Sequence, residues 1–249
     1  MIRVVFWLLL VAVSAQAAEK RSGYLDEAPA TRAMQDDDSA NPGFLWVQGG
    51  EAAWAAKAGT QQRSCAECHG AVAAMRGVAA RYPAYDATLG RPLTVEQRIN
   101  HCRQTHQGAP ALAAESDELL GLAALIGLQS RGMKVQVATD GPARPFFAAG
   151  ERFYTMRQGQ LNLSCSQCHD GLAGHHLAGA LVPQGHANGY PLYRLEWQAM
   201  GSLARRIRNC LFGVRAAPLD PTGEEFAALA LYLAWRDEGL AVETPAVRP

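Results

Sequence analysis

Cys165-Ser166-Gln167-Cys168-His169 and, a hundred residues earlier, Cys65-Ala66-Glu67-Cys68-His69 are the stretches on which the reading of this chain turns. C-x-x-C-H is the attachment signature of c-type haem. Two thiols add to the haem vinyl groups as thioethers, and the histidine is carried beneath the iron as the proximal ligand. A zinc half-site or a thioredoxin-like pair accounts for one such motif. Two copies, each preceded by Ser and followed within two residues by Gly, predict two covalently bound haem c groups.

The cysteine count agrees. Six cysteines in an exported chain would ordinarily suggest three disulfides. Here Cys65, Cys68, Cys165 and Cys168 are used by thioethers, which leaves Cys102 and Cys210. Export is read from residues 1–17. Arg3 supplies a positive start, Val4 to Val13 is an apolar run, and Ala15-Gln16-Ala17 is an A-x-A cleavage site. The run is too short to span a bilayer. No later segment reaches eighteen uninterrupted apolar residues, so the expected location is a bacterial periplasm. Formal net charge is zero, which implies no nucleic-acid partner.

Outward from the two motifs the chain reads as an internal duplication. Gly50-Glu51, Trp54, Gly59 and Ser64 match Gly150-Glu151, Tyr154, Gly159 and Ser164 at an offset of 100. Tyr82-Pro83-Ala84-Tyr85 matches Tyr190-Pro191-Leu192-Tyr193, and Arg98-Ile99 with Cys102 matches Arg206-Ile207 with Cys210, at 108. Glu118 and Gly132 match Glu225 and Gly239 at 107. The second half therefore carries eight extra residues, placed in the Gly- and His-rich stretch from Asp170 to Gly189.

Each half predicts a small helical haem domain. First helices are expected over 50–58 and 150–158, with Gly59 and Gly159 as C′ residues. Middle helices are expected over 94–105 and 197–212, and last helices over 116–130 and 222–238, closed by Gly132 and Gly239. Phe226, Leu229 and Leu233, flanked by Leu231 and Trp235, give the last helix a wide apolar stripe. Nothing alternates with period two, so the fold class is all-α, two tandem cytochrome c-like domains. The boundaries are a signal peptide at 1–17, an extended leader at 18–45, a first haem domain at 46–136 and a second at 137–249. A linker is expected over 133–146.

Cys102 and Cys210 hold the same position in the two halves. No methionine repeats in this way, although Met is the usual sixth ligand of small cytochromes c. The matched cysteines therefore make His69/Cys102 and His169/Cys210 the expected axial pairs. A disulfide between Cys102 and Cys210 is an alternative. So is ligation by His101, His106, His175, His176 or His186, none of which has a counterpart. His175, His176 and His186 also stand where they could line access to the second haem.

With these residues in place the chain resembles the SoxA family, dihaem c-type subunits that act in thiosulfate oxidation. The resemblance rests on the two C-x-x-C-H motifs, the Y-P-x-Y elements, and R-I-x-x-C in each half, most specifically Arg206-Ile207-Arg208-Asn209-Cys210-Leu211. It implies a sulfur-transferring enzyme, an L-cysteine S-thiosulfotransferase, that couples thiosulfate oxidatively to a cysteine of a SoxYZ carrier. It implies a heterodimer with a small monohaem SoxX partner. It makes Cys210 the active-site cysteine, a persulfide in the family, and Arg206 and Arg236 the catalytic arginines, with Arg208 and Arg215 as further candidates. Arg206 also has a plainer reading, because Arg98 bears the same relation to Cys102. Without the resemblance, the motifs alone fit a dihaem electron carrier with no substrate of its own.

Overall fold

The computed structural model describes residues 19–249; the expected signal peptide, 1–17, lies outside the described residues. From the N-terminus the first half comprises α1 (Pro29–Asp36), α2 (Phe44–Ala55), α3 (Cys65–His69), a hairpin of β1 (Ala84–Asp86) and β2 (Arg91–Leu93), α4 (Val95–Cys102) and α5 (Asp117–Leu128). The second comprises α6 (Arg144–Thr155), α7 (Cys165–His169), a short hairpin of β3 (His176–Leu177) and β4 (Ala180–Leu181), then β5 (Leu192–Arg194), β6 (Ala199–Gly201), α8 (Leu203–Gly213), α9 (Glu224–Arg236) and β7 (Ala246–Arg248). The fold is helical, with strands of two or three residues only, too short to show an alternating pattern in sequence. The Gly- and His-rich stretch is where β3 and β4 form.

Each half is built on one close helix crossing. α2 crosses α5 with Gly50 against Gly121, and α6 crosses α9 with Gly150 against Ala228. A Cβ on Gly50 would stand 2.2 Å from Gly121 O, and one on Gly150 2.1 Å from Ala228 O. The glycines therefore let two backbones touch. Around the first crossing Val47, Trp54, Ile99, Leu119, Leu122 and Leu125 form a core. Around the second Phe153, Tyr154, Leu211, Leu229, Tyr232 and Leu233 do the same. α9 is buried from Phe226 to Ala234, wider than a stripe, and Trp235 is partly exposed.

Several boundaries differ from expectation. The first helices begin six residues early and end at Ala55 and Thr155, not at Gly59 and Gly159. Those glycines are in the left-handed region (φ 64° and 66°) and bring the loop before the motif onto the backbone at 107–109 and 214–216. A Cβ there would fall 2.1 Å from the Gln107 or Val214 carbonyl oxygen, so their role is a loop crossing and not a helix cap. The middle helix of the second half starts at Leu203, because 199–201 pairs with β5 instead. In the first half the helical path runs on from Cys102 through a wider turn to Gln107. Gly132 and Gly239 do adopt positive φ after the last helices.

The expected linker and leader are both tied down. Gly132 and Val135 N–H donate to Val242 and Leu240 carbonyls, Gln136 N–H donates to Ala80 O, and Val135 and Val137 are buried. The leader folds into α1 and the start of α2. It is fastened to the C-terminus by Ser22 to Glu243, by Asn41 Nδ2 to Pro245 O (2.9 Å), and by Val247 N–H to Gln35 Oε1 (3.0 Å). β7 adds in parallel to β5, giving a three-stranded sheet β6-β5-β7.

Candidate functional site

α3 and α7 are single helical turns held open for chemistry by their caps. Ser64 and Ser164 accept from the N3 amides of Glu67 and Gln167, whose side chains return to the serine N–H groups. With the start of the turn fixed, the cysteines at i and i+3 and the histidine at i+4 share one face. All six cysteines are unbridged. Among the described residues no three His, Cys, Asp or Glu side chains converge as they would around a bare metal ion.

The donor set fits haem c. His169 Nδ1 lies 2.9 Å from Pro183 O; donating there leaves Nε2 with its lone pair free, the tautomer a metal ligand needs. Burial pulls the His169 imidazole below its ordinary pKa, and Arg206 and Arg236 add to that. Gly185 packs against His169: a Cβ there would be 2.8 Å from its Cγ. His69 is more exposed and leans on Trp54 at 5.7 Å, whose Nε1 donates to Gly70 O. Buried polar atoms without protein partners flank both turns: Arg103 Nε and Gln107 Oε1 near Cys65, and Arg236 Nη1 near His169. Such orphans are what a bound group with acceptor and donor atoms satisfies.

The remaining cysteines sit beside these turns. Cys102 ends α4, half-buried, near enough to Cys65 and Cys68 for their charges to interact, and burial pushes its thiol up. Cys210, on α8, stands in the same relation to Cys165. The Cys165 thiol is pushed up to about 11, chiefly by burial and then by Cys210. Both matched cysteines are thus brought to their motif. Of the rival histidines, His175 and His176 are exposed at the β3 hairpin, and His101 adjoins Cys102 at the end of α4. His186 is not lining an access path, because it is buried against Asp237, Nδ1 to Oδ1 at 2.8 Å.

That pair was not legible in the sequence, since its members are fifty-one residues apart. It locks a strap, residues 183–187. Pro183 O receives His169, Gln184 O receives Arg236 Nη2 at 3.1 Å, and Ala187 N–H donates to Asp237 Oδ2 at 2.9 Å. Arg236 is further fixed by Asp170 Oδ1 at 2.7 Å and by the Tyr154 ring at 4.3 Å, and Tyr154 OH donates to the same Asp170 oxygen at 2.9 Å. Arg206 and Arg236 are both near enough to His169 for their charges to act on its imidazole. Arg208 and Arg215 are exposed, and Arg215 lies at the 158–160 loop, to which its carbonyl is bonded. Burial raises the Tyr190 phenol to about 12, opposed by Arg206 and Arg194 and reinforced by Cys210, which places those four groups together.

Residues 49–135 match the family model described as SoxA/TsdA, cytochrome c domain. The chain is 41% identical to the L-cysteine S-thiosulfotransferase subunit SoxA of Rhodovulum sulfidophilum, over 92% of this chain and 80% of that protein. It is 38% identical to the subunit of the same name from Pseudaminobacter salicylatoxidans, over 92% and 81%. Among solved structures it resembles SoxXA from P. pantotrophus, with a TM-score of 0.88 and 36% identity, covering 92% of this chain and 86% of that one.

Proposed function

This chain belongs to the SoxA family of c-type cytochromes, and from that premise we propose that it is the catalytic subunit of a thiosulfate-oxidising L-cysteine S-thiosulfotransferase. The observation that carries the reading is that Cys210 lies by Cys165 in the second half, where Arg206 and Arg236 both act on His169. Two haem c groups would be held by Cys65, Cys68 and His69 and by Cys165, Cys168 and His169, with Cys102 and Cys210 as the further residues that would hold each iron. When bound, haem c accepts electrons one at a time from a sulfur that is being oxidised. The protein works in the periplasm after export. It pairs with a small monohaem SoxX subunit and serves a SoxYZ carrier. The two halves descend from one duplicated unit.

The chain's own residues set out the chemistry. Arg206 and Arg236 draw the sulfonate end of thiosulfate and offset repulsion between a dianion and a thiolate; a guanidinium stays charged and presents paired donors to an oxyanion. The sulfane sulfur is thereby placed against Cys210 Sγ. Thiolate and thiosulfate form an S–S bond, Cys210–S–S–SO3⁻, and release two electrons. A carrier thiolate then attacks the sulfane sulfur, the Cys210–sulfur bond breaks, and Cys210 leaves as thiolate. Asp170 and the strap hold Arg236 in place throughout. Cys210→Ala and Arg206→Ala test the reading: thiosulfate- and carrier-dependent reduction of an acceptor cytochrome should be lost in the first and severely weakened in the second. Full activity in Cys210→Ala would overturn it.

A further inference from the structure

The two halves differ beside their arginines at one decisive position. In the first half Arg98 is consumed within the protein. Its Nη2 donates to Asp86 Oδ2 at 2.5 Å and its Nε to Tyr82 OH at 3.2 Å. Arg206 takes the place of Arg98, and Tyr190 that of Tyr82. At the place of Asp86, the last residue of the hairpin's first strand, stands Arg194. The register is the same: Asp86 is opposite Arg91 at the end of β1–β2, and Arg194 is opposite Ala199 at the end of β5–β6. The carboxylate that neutralises the helix arginine in one half is thus a guanidinium in the other.

Arg194 is held there by a structure of its own. Its Nη2 contacts Glu196 at 3.1 Å, and its guanidinium lies 5.2 Å from the centre of the Trp197 ring. Arg205 stacks on the same ring at 4.1 Å. Gly201 packs against the indole so closely that a Cβ would meet it at 2.3 Å, so Trp197 cannot retreat. The Arg194 side chain is 16% exposed, and its Nε is buried without a protein partner. The Arg206 side chain makes no hydrogen bond or ion pair with another described residue, in contrast to that of Arg98. Arg194 and Arg206 both act on the Tyr190 phenol, and two guanidiniums in one neighbourhood repel each other and attract the same anion.

We propose that Arg194 is a positioning residue of the second site: it denies Arg206 an internal carboxylate and keeps that guanidinium free for a small sulfur oxyanion. Trp197, clamped by Gly201 and shared with Arg205, is the platform that holds Arg194 in place. The first half supplies the comparison within one molecule, where the same scaffold with an aspartate ties its arginine down. This inference rests on the thiosulfate reading given above.

The test uses the purified holocomplex carrying Arg194→Lys, Arg194→Gln or Arg194→Asp, with Arg206→Ala beside them. In thiosulfate titrations, Arg194→Asp is expected to raise KM by about tenfold or more, the scale of one lost charge contact. Arg194→Gln should raise it less, and Arg194→Lys should stay near the parent, with the visible spectra of both haems unchanged. Equal losses in the Gln and Asp variants that Lys does not rescue would make Arg194 a packing residue and overturn the proposal. A shifted second-haem potential with KM intact would do the same, by assigning the charge to the cofactor. If Arg206→Ala loses activity while Arg194→Asp keeps its KM, only this inference fails. If Cys210→Ala and Arg206→Ala stay fully active, the thiosulfate reading fails instead. A second readout then still decides the matter without turnover: the rates at which iodoacetate and iodoacetamide alkylate Cys210. Arg194→Asp should lower the anionic-to-neutral rate ratio, and an unchanged ratio would overturn the proposal.

Discussion

Gly150→Ala is the most informative stability perturbation, because it strikes the crossing that carries α7 and Arg236. The new Cβ would stand 2.1 Å from Ala228 O, 2.7 Å from its carbonyl carbon and 2.9 Å from Tyr232 Cβ. Ordinary contacts between carbon atoms are about 3.5–4.0 Å, so α6 and α9 must part by roughly 1 Å. The obstacle is a helix backbone, which cannot swing aside as a side chain does. Overpacking of this kind costs about 1–3 kcal/mol, and the upper end applies here. Replacing a mid-helix glycine by alanine returns about 0.5–1 kcal/mol. The net of about 2 kcal/mol should lower the melting temperature by about 4–8 °C for a chain of this size. Tyr154 lies on α6 and Arg236 on α9, so the displacement should also pull Arg236 off the Tyr154 ring and raise the KM for thiosulfate. The control is Gly49→Ala, one residue from the corresponding Gly50 on α2, where a Cβ meets nothing within 4 Å; it should be neutral or stabilising. Thermal melts followed at the haem Soret band, with kinetics on the same samples, measure both effects. A Gly150→Ala protein as stable and active as the parent would refute the close-crossing argument.

Three further outcomes are expected. Intact-mass analysis of the mature protein should show two covalent haems and no disulfide; a single haem or a Cys102–Cys210 bridge would contradict the cysteine assignment. Cys102→Met should raise the first haem's potential, since Met favours ferrous iron, and should leave substantial turnover; an untouched potential and spectrum would show that Cys102 is not a ligand. His186→Ala leaves the buried Asp237 carboxylate without its imidazole, at a cost of about 1–3 kcal/mol, and loosens the strap on which both His169 and Arg236 rest. Its second-haem spectrum should change together with the KM for thiosulfate, whereas a mere loss of stability with both unchanged would separate the strap from the site.

What the sequence made legible was what neighbours in sequence decide. Cys65, Cys68 and His69 share a helical turn because of their spacing, and Ser64 with Glu67 caps it, so both attachment turns could be read directly. Cys102 and Cys210 were found by position in the two halves, and each does lie beside its motif. Strands of three residues cannot display a period, so β1–β2 and β5–β6 went unread, and with them the register that sets Asp86 against Arg98. The match of Arg206 with Arg98 was visible, but the exchange of Asp86 for Arg194 has meaning only once the hairpins place those residues beside the arginines. Gly59 and Gly159 looked like helix ends because positive φ suits a C′ residue, whereas the demand comes from the distant backbone at Gln107 and Val214. The His186–Asp237 pair fastens the Gly- and His-rich stretch to a residue fifty-one positions away, beyond the reach of any local pattern.

The central claim is that Cys210 is the sulfur on which thiosulfate is bound and from which it is passed on. It is tested most directly by incubating the holocomplex with thiosulfate and an electron acceptor, without the carrier protein, and mapping the added mass by peptide mass spectrometry. The account predicts a thiosulfate adduct on the peptide containing Cys210, absent in Arg206→Ala at the same thiosulfate concentration and discharged when the carrier is added. An adduct on the Cys102 peptide, or none on Cys210 while the acceptor is reduced, would contradict it.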